Sequence, residues 1–172
     1  EYLYDFTHYG VGVWNKLFKK ELFQSIIFPI GKFSEDYFVM YKVFYEAKSV
    51  FYTSQALYFY RQRKNSITKS KKTKFDILEA LEQYVEFAKN IEPTLLNSAI
   101  HALVFSQLGV YNTILNNNDA LDKKNELRKK IRANYRTAYS YEDSKNRKIQ
   151  LFLFEHFNLL YPIFYKLYMR RR

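Results

Sequence analysis

The sequence contains no cysteine and little glycine or proline. Of its 172 residues, 4 are Gly and 3 are Pro, and Trp occurs once. Without Cys the chain forms no disulfide and no thiolate zinc site, which suits a cytoplasmic protein. It also has no D-x-D triplet and no Gly-rich phosphate loop, so two common signals of phosphate binding are absent.

The chain also lacks an initiating Met, a signal peptide and a long apolar run. It begins EYLYDFTHYG, which indicates a piece of a longer protein. Its most apolar stretch, residues 151–168, is too interrupted to predict a membrane-spanning helix. The interrupting residues are Glu155, His156, Asn158, Pro162 and Lys166.

Aromatic and basic residues are plentiful instead. The chain has 17 Tyr and 16 Phe, and 48% of its residues are hydrophobic, which argues for a folded core rich in ring packing. Lys and Arg number 28 against 17 Asp and Glu, giving a net charge of +11. This charge suits a partner with phosphates, whether nucleic acid, an anionic membrane surface or a nucleotide-sugar, and does not choose between them.

The second half of the chain has the periodicity of a helical bundle. Apolar residues recur at steps of three and four over residues 77–91 and 95–108, with Pro93 between the two predicted helices. A more charged helix is predicted from Leu121, and one or two more over residues 149–168, divided near a proline.

The first half predicts mixed α and β structure. A helix is expected to begin after Ser34 as its N-cap. SVFYTS at 49–54 and ALYFYRQR at 56–63 are rich in β-forming residues and predict a pair of short strands. The polar, basic residues 63–74 predict a loop. We therefore expect an α+β fold that is mostly α.

An acidic pair, Glu35 and Asp36, directly follows Ser34 and has two interpretations. Carboxylates in the first turn of a helix are stabilised by the helix dipole by about 0.3–1 kcal/mol, and the pattern alone favours this explanation. A carboxylate held beside a substrate hydroxyl can instead act as a general base.

The wider context adds weight to the second interpretation. VWNKLFKKELF, FPIGKFSEDYFVMYKVFYEAKSVFYTS and ALYFYRQRKNSIT occur in this order over about residues 11–68. Together they resemble the second half of the catalytic domain of bacterial inverting glycosyltransferases of family 2. The resemblance implies that residues 1–74 are the C-terminal part of a GT-A-type α/β domain with a short strand pair. Residues 75–172 would then be a helical C-terminal extension.

The resemblance also implies roles for individual residues. Asp36 would be the catalytic base that deprotonates the acceptor hydroxyl, with Glu35 as its neighbour holding geometry or contacting the acceptor. Trp14 would wall the acceptor site, although a core position is equally expected for the single Trp. Asn15 and Lys16 would lie near the donor or the acceptor.

Further along the chain, the resemblance places Arg61, Arg63 and Ser66 on a segment that closes over the donor diphosphate. An Arg fork matches phosphate oxygens and offsets the charge of the leaving group. A divalent metal, Mg²⁺ or Mn²⁺, is implied for the whole enzyme, but its ligands would lie mostly outside this chain. The chain alone is therefore expected to be inactive.

The implied reaction transfers a sugar from a nucleotide-sugar to a hydroxyl of a glycan or lipid-linked acceptor, in cell-surface polysaccharide synthesis. The implied location is cytoplasmic, peripheral at the inner face of the plasma membrane. The alternative is a non-enzymatic basic helical module for binding or for homodimer formation. Nucleic acid is not expected, because the basic residues are dispersed and no nucleic-acid motif occurs.

The C-terminal stretch FNLLYPIFYKLYMRRR also has two interpretations. Its mixture of aromatic, apolar and basic residues is typical of an anionic membrane interface. The slightly favoured alternative is that Phe157, Leu160, Phe164 and Leu167 form the core face of the last helix, followed by a solvated basic tail.

Overall fold

The computed structural model of the chain describes residues 10–61, 75–117 and 120–169. A short 3-10 helix, Lys20–Phe23, comes first, and a second one, Pro93–Leu95, leads into the third α-helix. The α-helices are α1 Glu35–Glu46, α2 Asp76–Asn90, α3 Leu96–Thr113, α4 Leu121–Tyr141, α5 Lys145–His156 and α6 Tyr161–Met169. None of the described helices is both long and apolar enough to cross a bilayer.

The predicted α+β class is wrong, because the described part of the chain is helical and contains no strand. The strand pair of a GT-A-type α/β remainder is therefore not seen. Residues 49–61 have no regular secondary structure and are exposed throughout. Their β-forming composition does not suffice, because a strand needs a hydrogen-bonded neighbour and the described residues provide none. Residues 62 and 63, the end of the second predicted strand, lie outside the described ranges.

The helices predicted from apolar periodicity are confirmed. The break at Pro93 separates α2 from α3, and α4 runs on to Tyr141 although it is heavily charged. Leu127, Ile131 and Ala138 give α4 a narrow buried stripe, while its charged residues face water. The last break falls at residues 157–160, just before Pro162 in the first turn of α6, where a missing N–H removes no helical hydrogen bond.

The core of the helical part is built around α3. One cluster joins α3 to α4, α5 and the start of α6, and includes Leu108, Leu127 and Phe154. A second cluster lies between α2 and α3 and takes in Tyr41 from α1. The ring of Tyr41 stacks on Tyr84 of α2 with centroids 4.9 Å apart. Helix α1 thus packs on α2, so the contact crosses the predicted boundary between residues 1–74 and 75–172. The division into two domains at that boundary stays a prediction.

The apolar face predicted for α1 agrees with this packing. Phe38, Tyr41 and Phe44 are buried, whereas Tyr45 is exposed and touches the ring of Phe87 edge-on. Helix α1 begins at the predicted position, but the hydroxyl of Ser34 does not cap it. That hydroxyl donates elsewhere, as described below.

Candidate active site around Asp36

Residues 10–16 form a tight loop that is held together by the side chain of Lys16. The backbone N–H of Lys16 donates to the Val13 carbonyl at 3.2 Å, which closes a turn with Trp14 and Asn15 at its tip. The Lys16 ammonium donates to the Gly10 carbonyl at 3.0 Å, the Gly12 carbonyl at 2.6 Å and Asn15 Oδ1 at 2.9 Å. An ammonium has three N–H donors, so Lys16 uses all of them to shape this loop.

This loop lies against the first turn of α1. The backbone N–H of Val13 donates to the Asp36 carboxylate, and the Lys16 charge acts on the same group. The W-N-K segment and the acidic pair, which are well separated in the sequence, therefore meet at one place. Asn15, Lys16 and Trp14 come together with Asp36, and Glu35 is its neighbour in the chain.

The surroundings of Asp36 make it a stronger base than an ordinary aspartate. Burial raises the pKa of its carboxyl, and the charge of Glu35 raises it further. The hydrogen bond from Val13 and the Lys16 charge oppose this rise without cancelling it. A carboxylate with a raised pKa accepts a proton more readily.

The two neighbours of Asp36 respond to the same environment. Burial lowers the pKa of the Lys16 ammonium, and the charge of Asp36 partly offsets that fall. Burial raises the pKa of the Tyr37 phenol, with a further contribution from Asp36. Tyr37 therefore keeps its proton at neutral pH and stays neutral beside the carboxylate.

One oxygen of the Asp36 carboxylate lacks a hydrogen-bond donor among the described residues. Oδ1 is buried and receives no hydrogen bond from the described part of the chain. Leaving a buried acceptor unsatisfied costs about 1–3 kcal/mol. Such atoms are rare in folded proteins, and each calls for an explanation in terms of function, strain or a bound group.

The loop that contacts this carboxylate also carries the single Trp, which belongs to a group of aromatic rings. Trp14 is 48% exposed, so the core position considered for it is wrong. Its ring lies 5.1 Å from Tyr58 and 4.8 Å from Tyr60, centroid to centroid, tilted by 43° and 44°. We call Trp14, Tyr58 and Tyr60 the aromatic face. Gly12 leaves room for the Trp14 ring, because a Cβ at residue 12 would lie only 2.6 Å from Trp14 Nε1.

The start of α1 is anchored to the helical part by Asp76, the first residue of α2. The backbone N–H groups of Phe33 and Ser34 both donate to Asp76 Oδ2, the second at 3.0 Å. The Ser34 hydroxyl donates to Asp76 Oδ1 at 3.2 Å. Nearby, Lys32 pairs with Glu79 of α2. The carboxylate of Asp76 thus satisfies donors that the N-terminus of α1 would otherwise leave open.

Of the remaining predicted site residues, the structure describes only Arg61. Arg61 is exposed and directly follows Tyr60 of the aromatic face. Arg63 and Ser66 lie outside the described residues, so their predicted contact with a diphosphate stays a prediction. Prediction from sequence missed Tyr58, Tyr60 and Asp76. The alternating Y-x-Y motif was a usable signal for the two tyrosines, whereas nothing in the sequence pattern marks Asp76.

The described residues do not by themselves fit the implied divalent metal. Nowhere in residues 10–61, 75–117 or 120–169 do three or more His, Asp or Glu side chains gather as they would around an ion. At the site itself, Glu35 and Asp36 are the carboxylates and the Lys16 ammonium stands close by.

Comparison with known proteins relates this chain to a glycosyltransferase. Over 83 residues it is 31% identical to a protein named glycosyltransferase GlyA from Streptococcus pneumoniae serotype 4 (strain ATCC BAA-334 / TIGR4). The match covers 47% of this chain but 12% of that protein, so the chain spans a small part of its relative. No model of a known protein family and no solved structure matches the chain. The similarity supports a glycosyltransferase-like function.

Proposed function

We propose that this chain carries the acceptor side of an inverting glycosyltransferase of family 2, with Asp36 as its general base. The observation that carries the proposal is the buried Asp36 carboxylate, whose Oδ1 has no donor among the described residues. A sugar hydroxyl is a donor of the kind that this oxygen lacks. The raised pKa of Asp36 suits a group that must take up a proton during the reaction.

The reaction follows from this placement. The acceptor hydroxyl donates to Asp36, and its oxygen attacks the anomeric carbon of the donor sugar as the proton passes to the carboxylate. The bond from that carbon to the nucleoside diphosphate breaks on the opposite side, and the diphosphate leaves with the electron pair. One displacement of this kind inverts the anomeric configuration. The proton then leaves Asp36 for solvent, which regenerates the base.

The aromatic face supports a carbohydrate as the acceptor. A pyranose ring presents apolar C–H groups on its faces, and these pack well on aromatic rings. Sites for small polar ligands commonly combine such rings with a few placed polar groups. Trp14 lies on the loop that contacts Asp36, so a sugar on this face would have hydroxyls near the base. The acceptor is then a glycan or a lipid-linked sugar.

The donor side belongs to this proposal as well. A nucleotide-sugar would be bound largely outside this chain, with Arg61, Arg63 and Ser66 near its diphosphate and any Mg²⁺ or Mn²⁺ held by other residues. Cell-surface polysaccharide synthesis at the cytoplasmic side of the plasma membrane is the proposed setting. The similarity to a protein named as a glycosyltransferase supports this direction.

The test is to replace Asp36 by Asn in the whole protein that carries this chain. Asn keeps the size of the side chain and cannot accept the proton, so we expect kcat to fall about 10²–10⁴-fold. Sugar transfer is measured as the nucleoside diphosphate released from each of a panel of nucleotide-sugars. Glu46→Gln is the matched control, since Glu46 is an exposed carboxylate at the other end of α1.

A second variant separates acceptor binding from proton transfer. Trp14→Ala removes the centre of the aromatic face but leaves the base, so we expect a higher KM for the acceptor and a smaller change in kcat. Full turnover by the Asp36→Asn enzyme would remove Asp36 from the role of base. An unchanged acceptor KM in Trp14→Ala would argue against a sugar on the aromatic face.

A further inference from the structure

The face of the last helix that packs on the core is not the face that its sequence predicts. Phe157, Leu160, Phe164 and Leu167 were the predicted core residues, yet their exposed fractions are 44%, 48%, 37% and 52%. The core-helix interpretation of this stretch is therefore wrong. These large apolar side chains are left facing water, together with Leu159 and Ile163.

Tyr161 explains why α6 lies this way. Its ring is buried against Phe154, with centroids 5.0 Å apart and planes nearly perpendicular. Its hydroxyl donates to Asn112 Oδ1 at 2.9 Å and accepts from Gln150 Nε2 at 3.1 Å. A ring that is both packed and hydrogen-bonded fixes the rotation of a short helix. The neighbouring apolar residues are then left on the outside.

Leu160, Ile163, Phe164 and Leu167 recur at steps of three and four, which places them on one side of α6 and its start. With two exposed residues of the preceding turn they make up what we call the C-terminal apolar face. It consists of Phe157, Leu159, Leu160, Ile163, Phe164 and Leu167. The patch extends onto α5, because the exposed ring of Phe152 lies 6.1 Å from that of Phe157. Several large apolar side chains exposed on one side of a helix are uncommon on a free protein surface and usually mark an interaction site.

The sequence that carries this face is strongly basic. Residues 145–172 contain seven Lys and Arg against one Glu, a net charge of +6 out of +11 for the whole chain. The one acid, Glu155, is paired with Arg132 of α4, whose Nε lies 3.2 Å from Glu155 Oε2. Lys166 is exposed on α6 itself. Arg147 is paired with Glu142, just before this range, with 3.0 Å between its Nε and Glu142 Oε2. An excess of positive charge remains over residues 145–172 even with this pair set aside.

This combination distinguishes between possible occupants. A second copy of the chain would bring the same +6 against the first, and like charges across an interface oppose association. An anionic lipid surface would accept the apolar side chains among its acyl chains and the basic ones among its headgroups. Helix α6 has 9 residues, so it is far too short to cross a bilayer and suits a position in the interface plane.

We propose that the C-terminal apolar face docks on an anionic lipid surface, with α6 lying parallel to the membrane. The docking does not depend on the glycosyl transfer proposed above, because it rests on a different part of the molecule. Binding should need both the apolar side chains and the anionic headgroups. It should therefore weaken when either is removed.

The test is co-sedimentation of the 172-residue chain with vesicles of phosphatidylcholine, with and without phosphatidylserine. We expect binding to the vesicles that contain phosphatidylserine, and weaker binding at high salt, which screens the charges. The double variant Ile163→Glu/Leu167→Glu should bind at least tenfold more weakly. The matched control is Ile91→Glu/Leu121→Glu, which changes the charge equally at two similarly exposed positions elsewhere.

Three results would overturn the proposal. The first is no binding of the chain to anionic vesicles, and the second is an equal loss of binding in both double variants. The third is a chain that does not bind lipid but forms a dimer, which Ile163→Glu/Leu167→Glu converts to a monomer. Circular dichroism checks that each variant stays helical. Should the double variant lose helix, Leu159→Asp replaces it, because Leu159 lies in the turn before α6 and is almost fully exposed. That variant should also bind anionic vesicles more weakly.

Discussion

Residues 10–61 and residues 75–169 are built in opposite ways. The first region has one α-helix and one short 3-10 helix, and it holds 13 of the 24 exposed large hydrophobic side chains among the described residues. The second region has five α-helices around a common core. Asp36 and the aromatic face both lie in the first region. The stable framework and the candidate chemistry therefore occupy different stretches of one chain.

The two regions are nevertheless coupled through α1. Its buried side packs on α2, and the donors at its start bind to Asp76 at the start of α2. The helical part can therefore fix the position of Asp36 without touching it. Three predictions test this division, from the largest expected effect to the smallest.

The largest contrast should be in stability. Phe154 is buried between Tyr111 and Tyr161, so Phe154→Ala should lower the free energy of unfolding by about 3–5 kcal/mol. Phe59, in the first region, is 95% exposed. Phe59→Ala should therefore change the free energy of unfolding by less than about 0.5 kcal/mol. Urea denaturation measures both values. A cost for Phe59→Ala near that of Phe154→Ala would mean that the first region is covered in solution.

The next prediction breaks the link between the regions. Asp76→Ala removes an acceptor that three donors share, so we expect a loss of about 2 kcal/mol. Faster hydrogen exchange should be confined to the start of α1, and sugar transfer should fall because Asp36 is no longer held in place. Asp122→Ala is the control, since Asp122 is also in the first turn of a helix and is exposed. Equal effects in both variants would show that Asp76 acts only on its own helix.

These contrasts also show what could be predicted from the sequence. The spacing of Leu81, Tyr84 and Ala88 identifies α2, because a helix that buries one face repeats every three to four residues. The strands predicted over residues 49–54 and 56–63 are not seen in the described residues 49–61, because β-forming residues specify a strand only when another strand pairs with it. The rotation of α6 was missed because it depends on the partners of the Tyr161 hydroxyl, Asn112 and Gln150, which are distant in sequence.

The candidate site was predictable to a similar extent. The acidic pair and the W-N-K segment were identified from short motifs, and the structure places Asp36 against the loop that carries Trp14. Their meeting follows from a backbone hydrogen bond of Val13, which no side-chain pattern reveals. Asp76 was missed for the same reason, because its partners are backbone N–H groups.

The smallest expected effect concerns the pH dependence of transfer. A base at Asp36 would work only when ionised, so under the proposed function activity should fall as the pH drops through the pKa of Asp36. Burial is the main cause that raises this pKa, and the negative charge of Glu35 raises it further. Glu35→Gln should therefore lower the pKa of Asp36 and move the acidic limb of the kcat profile to lower pH. Glu46→Gln should leave the limb in place. A limb that stays fixed or moves upward in Glu35→Gln would separate the acidic pair from the proton transfer, and Glu35 would then matter only for the start of α1.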